Sequence, residues 1–194
     1  KTPSYKTYDL AYQNGYRQLS VVRLLVASKA YHAARKIALH AFKHVKDYEI
    51  IPLNHGLTDL ISSMYLGVFY NESLYAKYRD LQRYYSQALF DLSIVSDNYR
   101  EIRNSIYAQR DSPAMTGQKA GLFIKESAEI GQRYQQISQI QSMLVATETT
   151  GCMLRGEYLN AIEASSRGTK LLMKCKGVSQ SGISFLALLR VECT

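Results

Sequence analysis

The sequence of 194 residues has no tryptophan, only three prolines and only three cysteines, and each scarcity excludes a class of protein. Few prolines, 11 glycines and a hydrophobic content of 46% exclude collagen-like and disordered chains. No uncharged stretch reaches the roughly 20 apolar residues that a membrane-spanning helix needs, because the longest apolar candidates are residues 60–70 and 183–189. We therefore expect no membrane span.

The cysteines are too few, and too widely spaced, for a disulfide framework. None of them forms a C-x-x-C pair, and an odd number cannot be closed into bridges within one chain. We expect buried free thiols in a reducing, cytoplasmic or other intracellular compartment. Because the chain begins at Lys1 rather than methionine, we also expect a processed chain or a fragment of a larger protein. The three cysteines are Cys152, Cys175 and Cys193.

Acidic residues are missing from one long segment, between Leu10 and Lys46. The net charge of +8 is consequently uneven: residues 1–46 carry +8, residues 47–163 carry −4 and residues 164–194 carry +4. A basic block of this kind attracts nucleic acid, an anionic membrane surface or an acidic protein partner. More commonly, such a block is a solvated helix face, or a surface that pairs with the chain's own acidic middle.

Signatures of catalysis and of cofactor binding are also absent. The sequence has no phosphate-binding glycine loop, no dinucleotide fingerprint and no nucleophile elbow. His40 and His44 have a spacing that can hold a metal on a helix, but Lys36 and Lys43 beside them would repel a divalent cation. Asn71-Glu72-Ser73 matches a glycosylation sequon and equally a helix cap. We predict no enzyme activity, no metal and no cofactor.

Helical periodicity runs through nearly every segment, and no segment shows sustained strand-type alternation. We predict an all-α fold of seven or eight helices. The first helix begins near Tyr5, the second covers residues 30–46, and the third starts near Asp47 or Tyr48 with Pro52 in its first turn. The predicted core stripe of the third helix consists of Ile50, Leu53, Leu57, Leu60, Ile61, Met64 and Val68.

The most regular segment is a long heptad helix between Leu74 and Ile106. Two apolar positions recur there every seven residues, which is typical of a long helix packed along a partner helix. Pro113 ends it, and a second stretch with the same period folds back antiparallel, so residues 74–150 form a long helical hairpin. We place its end or a bend at Gly151, and later helices at residues 158–176 and 183–191. The second stretch is marked by Phe123, Ile130, Ile137 and Leu144.

Two segments resemble each other at a distance of 127 residues. Lys29-Ala30-Tyr31-His32-Ala33-Ala34 aligns with Gly156-Glu157-Tyr158-Leu159-Asn160-Ala161, followed by Ala38 over Ser165 and Ala41 over Gly168. This G-x-Y-x-x-A pattern resembles the turn and second helix of a tetratricopeptide repeat, in which the aromatic residue wedges between helices that small residues bring close together. The family's tryptophan and its terminal proline are absent, Lys29 stands where glycine is usual, and Gly168 stands where alanine is usual.

The resemblance implies antiparallel helix hairpins stacked as a right-handed α–α superhelix, forming a single domain over residues 1–194. Residues 30–46 and 156–176 are its most repeat-like parts. It also implies a non-enzymatic scaffold or adaptor that binds a protein or peptide, because stacked helix pairs present an extended concave surface. Exposed tyrosine and arginine side chains suit such binding. The predicted partner-binding residues are Tyr5, Tyr8, Tyr12, Tyr16, Arg17, Arg23, Lys29, Arg35, Lys36 and Lys43.

Two alternatives stay open at this point. A nucleic-acid-binding or regulatory helical domain would use the basic ends, with phosphate contacts from Arg35, Lys36, Lys43 and Lys46 and a steep salt dependence. A self-associating bundle would instead use the heptad stripe of residues 74–106 against a second copy. The plain interpretation of the tyrosines is that they pack between helices with their hydroxyls at the boundary.

Overall fold

Helices account for nearly all of the chain that the computed structural model describes, which is residues 5–108 and 113–172. No strand occurs within these residues, and the prediction of an all-α fold is confirmed. The α-helices are α1 (Tyr5–Ala27), α2 (Tyr31–Val45), α3 (Ile51–Leu66), α4 (Glu72–Ala108), α5 (Pro113–Arg133), α6 (Ser138–Leu154) and α7 (Tyr158–Leu172), with a short 3₁₀ helix at Lys46–Tyr48.

The described helices belong to two compact units. The first unit contains α1, α2, α3 and the part of α4 that ends at Leu89. The second contains the rest of α4, from Phe90 onward, with α5, α6 and α7. The single domain over residues 1–194 stays a prediction.

Helix α3 supplies the centre of the first unit. Five members of the predicted stripe are buried: Ile50, Leu53, Leu57 and Ile61 completely, and Met64 with 4% of its surface exposed. Most of the predicted stripe is therefore confirmed. The helix starts at Ile51 rather than near Asp47, because Glu49 adopts a left-handed backbone conformation (φ 48°) that interrupts the helical path.

The far end of the predicted α3 stripe needs a correction. The apolar spacing predicts that Val68 lies in the core, but α3 ends at Leu66 and the Val68 side chain is 55% exposed. The helical spacing that assigned it to the stripe no longer applies once the helix has ended.

The long heptad helix is present as α4, and α5 runs antiparallel to it. Asn98 on α4 donates a hydrogen bond to Glu126 on α5 (2.8 Å), and Asp91 accepts one from the hydroxyl of Tyr134 (2.8 Å). The contacts therefore occur in opposite order along the two segments, as an antiparallel pair requires.

The second stretch of the predicted hairpin is two helices rather than one, which corrects the prediction. The chain leaves α5 at Arg133, and α6 begins only at Ser138. The buried amide of Gln141 stabilises this break, because its Nε2 donates to the backbone carbonyls of Gly131 and Tyr134, both at 3.0 Å. Gly151 neither ends nor interrupts α6, which continues to Leu154.

The two segments that are similar in sequence also form the same turn. Between α1 and α2, the N–H groups of residues 28, 29 and 30 donate hydrogen bonds to the carbonyls of residues 24, 26 and 25, respectively. Between α6 and α7, the N–H groups of residues 155, 156 and 157 donate to those of residues 151, 153 and 152, which is the same pattern displaced by 127. Lys29 (φ 61°) and Gly156 (φ 73°) adopt the left-handed conformation that this helix ending requires.

None of the described helices combines the length and the apolar character that a membrane crossing demands.

Cys152 is a buried free thiol, as expected, and burial raises its pKa above the usual range. Cys175, Cys193 and the helix predicted at residues 183–191 lie outside the described residues, as does the predicted end of the preceding helix.

Asn71 caps α4. Its Oδ1 accepts a hydrogen bond from the backbone N–H of Leu74 (3.0 Å), and its carbonyl accepts one from Tyr75 (2.8 Å). We expect Asn71→Ala to lower the free energy of unfolding by about 1 kcal/mol, the usual cost of losing a side-chain cap. Urea denaturation followed by circular dichroism measures this loss. Asn104→Ala, at an exposed position inside the same helix, is the control, and an equal loss in both variants would contradict the capping role.

Candidate partner-binding groove

Helix α1 has two apolar stripes, and they face different surroundings. One stripe contains Leu19 and Val22, which are buried in the first unit. The other stripe follows Leu10, Arg17, Val21 and Leu24 at helical spacing, and its apolar members are exposed: Leu10 by 56% and Leu24 by 71%. An exposed apolar stripe beside basic residues is a feature of binding surfaces rather than of a solvated helix face.

Two clefts lie side by side along α1 and α2, and we call them together the α1–α2 groove. They share Gln18, and their volumes are about 420 Å³ and about 340 Å³. From Leu10 to Val21 the groove follows α1 for about 16 Å, or three helical turns. The first cleft is lined by Arg17, Gln18, Val21, Lys36, Ile37 and His40. The second is lined by Thr7, Leu10, Ala11, Asn14, Gly15, Gln18, His44, Val45 and Tyr48.

The charge of the α1–α2 groove is of one sign. Arg17 from α1 and Lys36 from α2 line the same cleft, and among the described residues no carboxylate lines either cleft. This follows directly from the sequence, because α2 and most of α1 fall inside the segment without acidic residues. A cationic groove with apolar walls is complementary to a segment that carries both carboxylates and apolar side chains.

The predicted tyrosines do not form one exposed surface. Tyr8 is only 5% exposed, with its ring 6.3 Å from that of Tyr48 in an edge-on contact. Tyr12 is 41% exposed, and the centres of the Tyr12 and Tyr16 rings are 4.7 Å apart. Burial is the main cause that raises the pKa of Tyr16, and the neighbouring Tyr12 raises it further. Neither Tyr12 nor Tyr16 lines the groove, and the side chain of Tyr5 lies outside the described residues.

The predicted basic residues are similarly divided among different places. The guanidinium of Arg35 lies 4.0 Å from the centre of the Phe69 ring, a cation–π contact that holds it at the connection after α3. Arg23 lies beside Gly56 of α3, and Lys29 is in the exposed turn before α2. Lys43 is exposed on α2 without lining either cleft. The structure therefore brings together Arg17 and Lys36 and separates the others from them.

Sequence reasoning predicts only Arg17 and Lys36 among the groove residues, and it misses Leu10, Gln18 and Val21 among others. The spacing of Leu10, Val21 and Leu24 indicates a second stripe on α1, but the tyrosine stripe is the stronger signal. The spacing of His40 and His44 suggests only a metal site. Within the described residues, no three or more histidine, cysteine, aspartate or glutamate side chains are grouped so that they could hold a metal ion.

A third cleft, of about 400 Å³, lies in the second unit among α5, α6 and α7. Its floor is apolar, with Ile124, Leu144 and Val145, and the Arg167 guanidinium is paired with the Glu148 carboxylate at its edge. Arg167 and Glu148 are the charged residues among the described ones that line this cleft, and they form this ion pair.

Comparison with known proteins gives no relative from which a role can be transferred. No protein-family model matches the chain, and neither does any curated protein or solved structure.

Proposed function

We propose that this chain is a tetratricopeptide-like scaffold that binds an acidic, amphipathic segment of another protein in the α1–α2 groove and performs no chemistry of its own. The observation that carries the proposal is the groove itself, in which Arg17 and Lys36 lie beside exposed apolar side chains. Within the part of the chain that the structure describes, no carboxylate lines either cleft. The repeated turn, with its hydrogen bonds displaced by 127 residues, supports the repeat character. The buried thiol of Cys152 supports an intracellular location.

The groove suits a helix better than an extended strand. Its two walls are helices, and their exposed side chains recur every three or four residues, which matches the spacing of apolar anchors on a bound helix. A helix of three turns spans its length, and glutamates on both sides of an apolar face would meet Arg17 and Lys36.

A binding assay with a defined probe tests the proposal. The probe is a fluorescent helical peptide of about 14 residues with leucines on one face and glutamates flanking them, compared with a scrambled peptide of the same composition. We expect the amphipathic peptide to bind more tightly than the scrambled one, as measured by fluorescence polarisation. Equal binding of the two peptides, or no binding, would contradict the groove proposal.

Charge reversal in the groove sharpens this test. Arg17→Glu combined with Lys36→Glu is expected to weaken peptide binding about tenfold or more, because two attractive contacts become repulsive. Lys125→Glu combined with Lys170→Glu reverses two exposed charges in the second unit and provides the matched control. A similar loss in both double variants would show that only the net charge matters.

Nucleic acid is the competing partner, and the same assay includes it. A generic duplex DNA and a generic RNA are titrated at low and at moderate salt. Tighter binding of either than of the amphipathic peptide, with a steep loss in salt, would replace the peptide proposal by the nucleic-acid one. Self-association through the heptad stripe is not included in the proposal, because Ala88, Val95 and Ile102 of that stripe are already buried within a single chain.

A further inference from the structure

Two imidazole rings meet at the middle of the α1–α2 groove. His40 and His44 are one turn apart on α2, with ring centres 4.4 Å apart and their Nε2 atoms 3.1 Å apart. That separation is a hydrogen bond, in which one ring donates and the other accepts. His40 lines the first cleft and His44 lines the second, so the pair lies where the two clefts adjoin. Both rings are exposed to solvent and thus to a bound partner.

The described residues that line the two clefts supply no negative charge to the pair. The ionisable side chains that share the two clefts with it are Arg17 from α1, Lys36 from α2 and the Tyr48 phenol from the 3₁₀ helix. Helix α3 contributes no residue to the lining of either cleft. A proton added to the pair therefore increases the positive charge of the groove.

Other charged groups lie next to the lining residues without sharing the clefts. Asp9 adjoins Leu10 in the sequence, and Asp47 and Glu49 adjoin Tyr48, with Asp47 three residues after His44. None of these three carboxylates lines either cleft. Lys43 and Lys46 lie within two residues of His44.

We infer that the His40–His44 pair is a proton-dependent anion subsite of the groove, which takes up a proton when a carboxylate of the partner binds against it. This inference rests on the proposed function and adds its regulation. Imidazole is the side chain that changes charge between about pH 5 and pH 8, and a nearby carboxylate stabilises its protonated form.

The direction of the pH dependence follows from proton linkage. Because the complex holds more protons than the free protein and free partner together, affinity rises as the pH falls through the range in which the pair titrates. The increase stops where the free pair is protonated as well.

Isothermal titration calorimetry of the full 194-residue chain with the amphipathic glutamate peptide tests the inference. Titrations at about pH 6, 7 and 8, each in two buffers with different heats of ionisation, give both the affinity and the number of protons taken up. We expect the peptide to bind about tenfold more tightly at pH 6 than at pH 8, with a fraction of a proton taken up per complex near neutral pH.

Variants assign the effect to this pair. His40→Gln combined with His44→Gln is expected to bind the peptide with little dependence on pH and without proton uptake. His32→Gln is the matched control, because His32 is exposed on the same helix but packs on Phe69 outside the groove (ring centres 4.8 Å apart). Far-UV circular dichroism confirms that each variant is folded, so that a lost pH effect is assigned to the rings.

Two results would overturn the inference while leaving the proposed function intact. One is tight peptide binding by the unmodified chain without pH dependence or proton uptake. The other is a pH dependence that survives in the double histidine variant. Absence of peptide binding at every pH would instead overturn the proposed function, and the inference with it.

Discussion

Replacing Gly168 by alanine is expected to lower the free energy of unfolding by about 2 kcal/mol, although alanine is the better helix former by about 1 kcal/mol. Gly168 lies on α7, fully buried against α6, and a Cβ at this position would overlap both γ carbons of Val145. A β-branched side chain in a helix has essentially one rotamer, so Val145 cannot turn away. The backbones of α6 and α7 would have to separate, which loosens the core around Val145, Ala146 and Leu172.

Gly121→Ala is the matched control for this prediction. Gly121 lies inside α5, and a Cβ there would approach only the Arg155 guanidinium, at an ordinary distance of 3.8 Å. This variant is expected to gain up to about 1 kcal/mol from helix propensity alone. Urea unfolding followed by circular dichroism compares the two variants, and a gain of stability in both would contradict the close packing of α6 and α7.

Val145→Ala should rescue Gly168→Ala. The second substitution removes the two γ carbons that the new Cβ meets, so the double variant is expected to be more stable than the sum of the single changes predicts. At the positions 127 residues earlier in the sequence, Gln18 and Ala41 stand in place of Val145 and Gly168.

The helices could be predicted from the sequence because apolar spacing is a local property. The heptads of α4 and the cap at Asn71 lie where the sequence places them. The break between α5 and α6 could not be predicted, because the spacing of Ile130, Ile137 and Leu144 continues through it unchanged. Residues 134–137, between the two helices, include neither glycine nor proline. The break is made by hydrogen bonds from Gln141, whose partners become apparent only when the chain has folded.

The groove could be predicted only in part, for a similar reason. The absence of acidic residues between Leu10 and Lys46 predicts that the groove is positively charged. Arg17 and Lys36, which line one of its clefts, are among the predicted binding residues. Helix α1 has two stripes of suitable spacing, and the sequence does not say which of them the core covers. The folded unit buries Tyr8 and leaves Leu10 exposed, so the proposed groove lies on the less conspicuous stripe.

Replacing Tyr134 by phenylalanine is expected to cost about 2 kcal/mol of stability, which is large for the loss of one oxygen atom. The Tyr134 hydroxyl donates a 2.8 Å hydrogen bond to the Asp91 carboxylate, which is 2% exposed. Hydrogen bonds to charged groups are worth more than neutral ones, and the desolvated carboxylate would lose one of its donors. Arg133 also contacts Asp91, with 3.3 Å between Nη1 and Oδ2, but its side chain is largely exposed and compensates only in part.

A double-mutant cycle assigns this loss to the contact between α4 and the end of α5. Tyr134→Phe, Asp91→Asn and the combined variant are compared by urea denaturation, and a coupling energy of about 1–2 kcal/mol is expected if the hydroxyl acts through this carboxylate. Tyr158→Phe, at an exposed tyrosine on α7, is the control and should change stability by less than about 0.5 kcal/mol. A coupling energy near zero would mean that Tyr134 stabilises the chain through its ring alone. A substantial coupling would instead show that this buried hydrogen bond helps to hold the end of α5 where the chain turns into α6, at the break that the heptad pattern does not reveal.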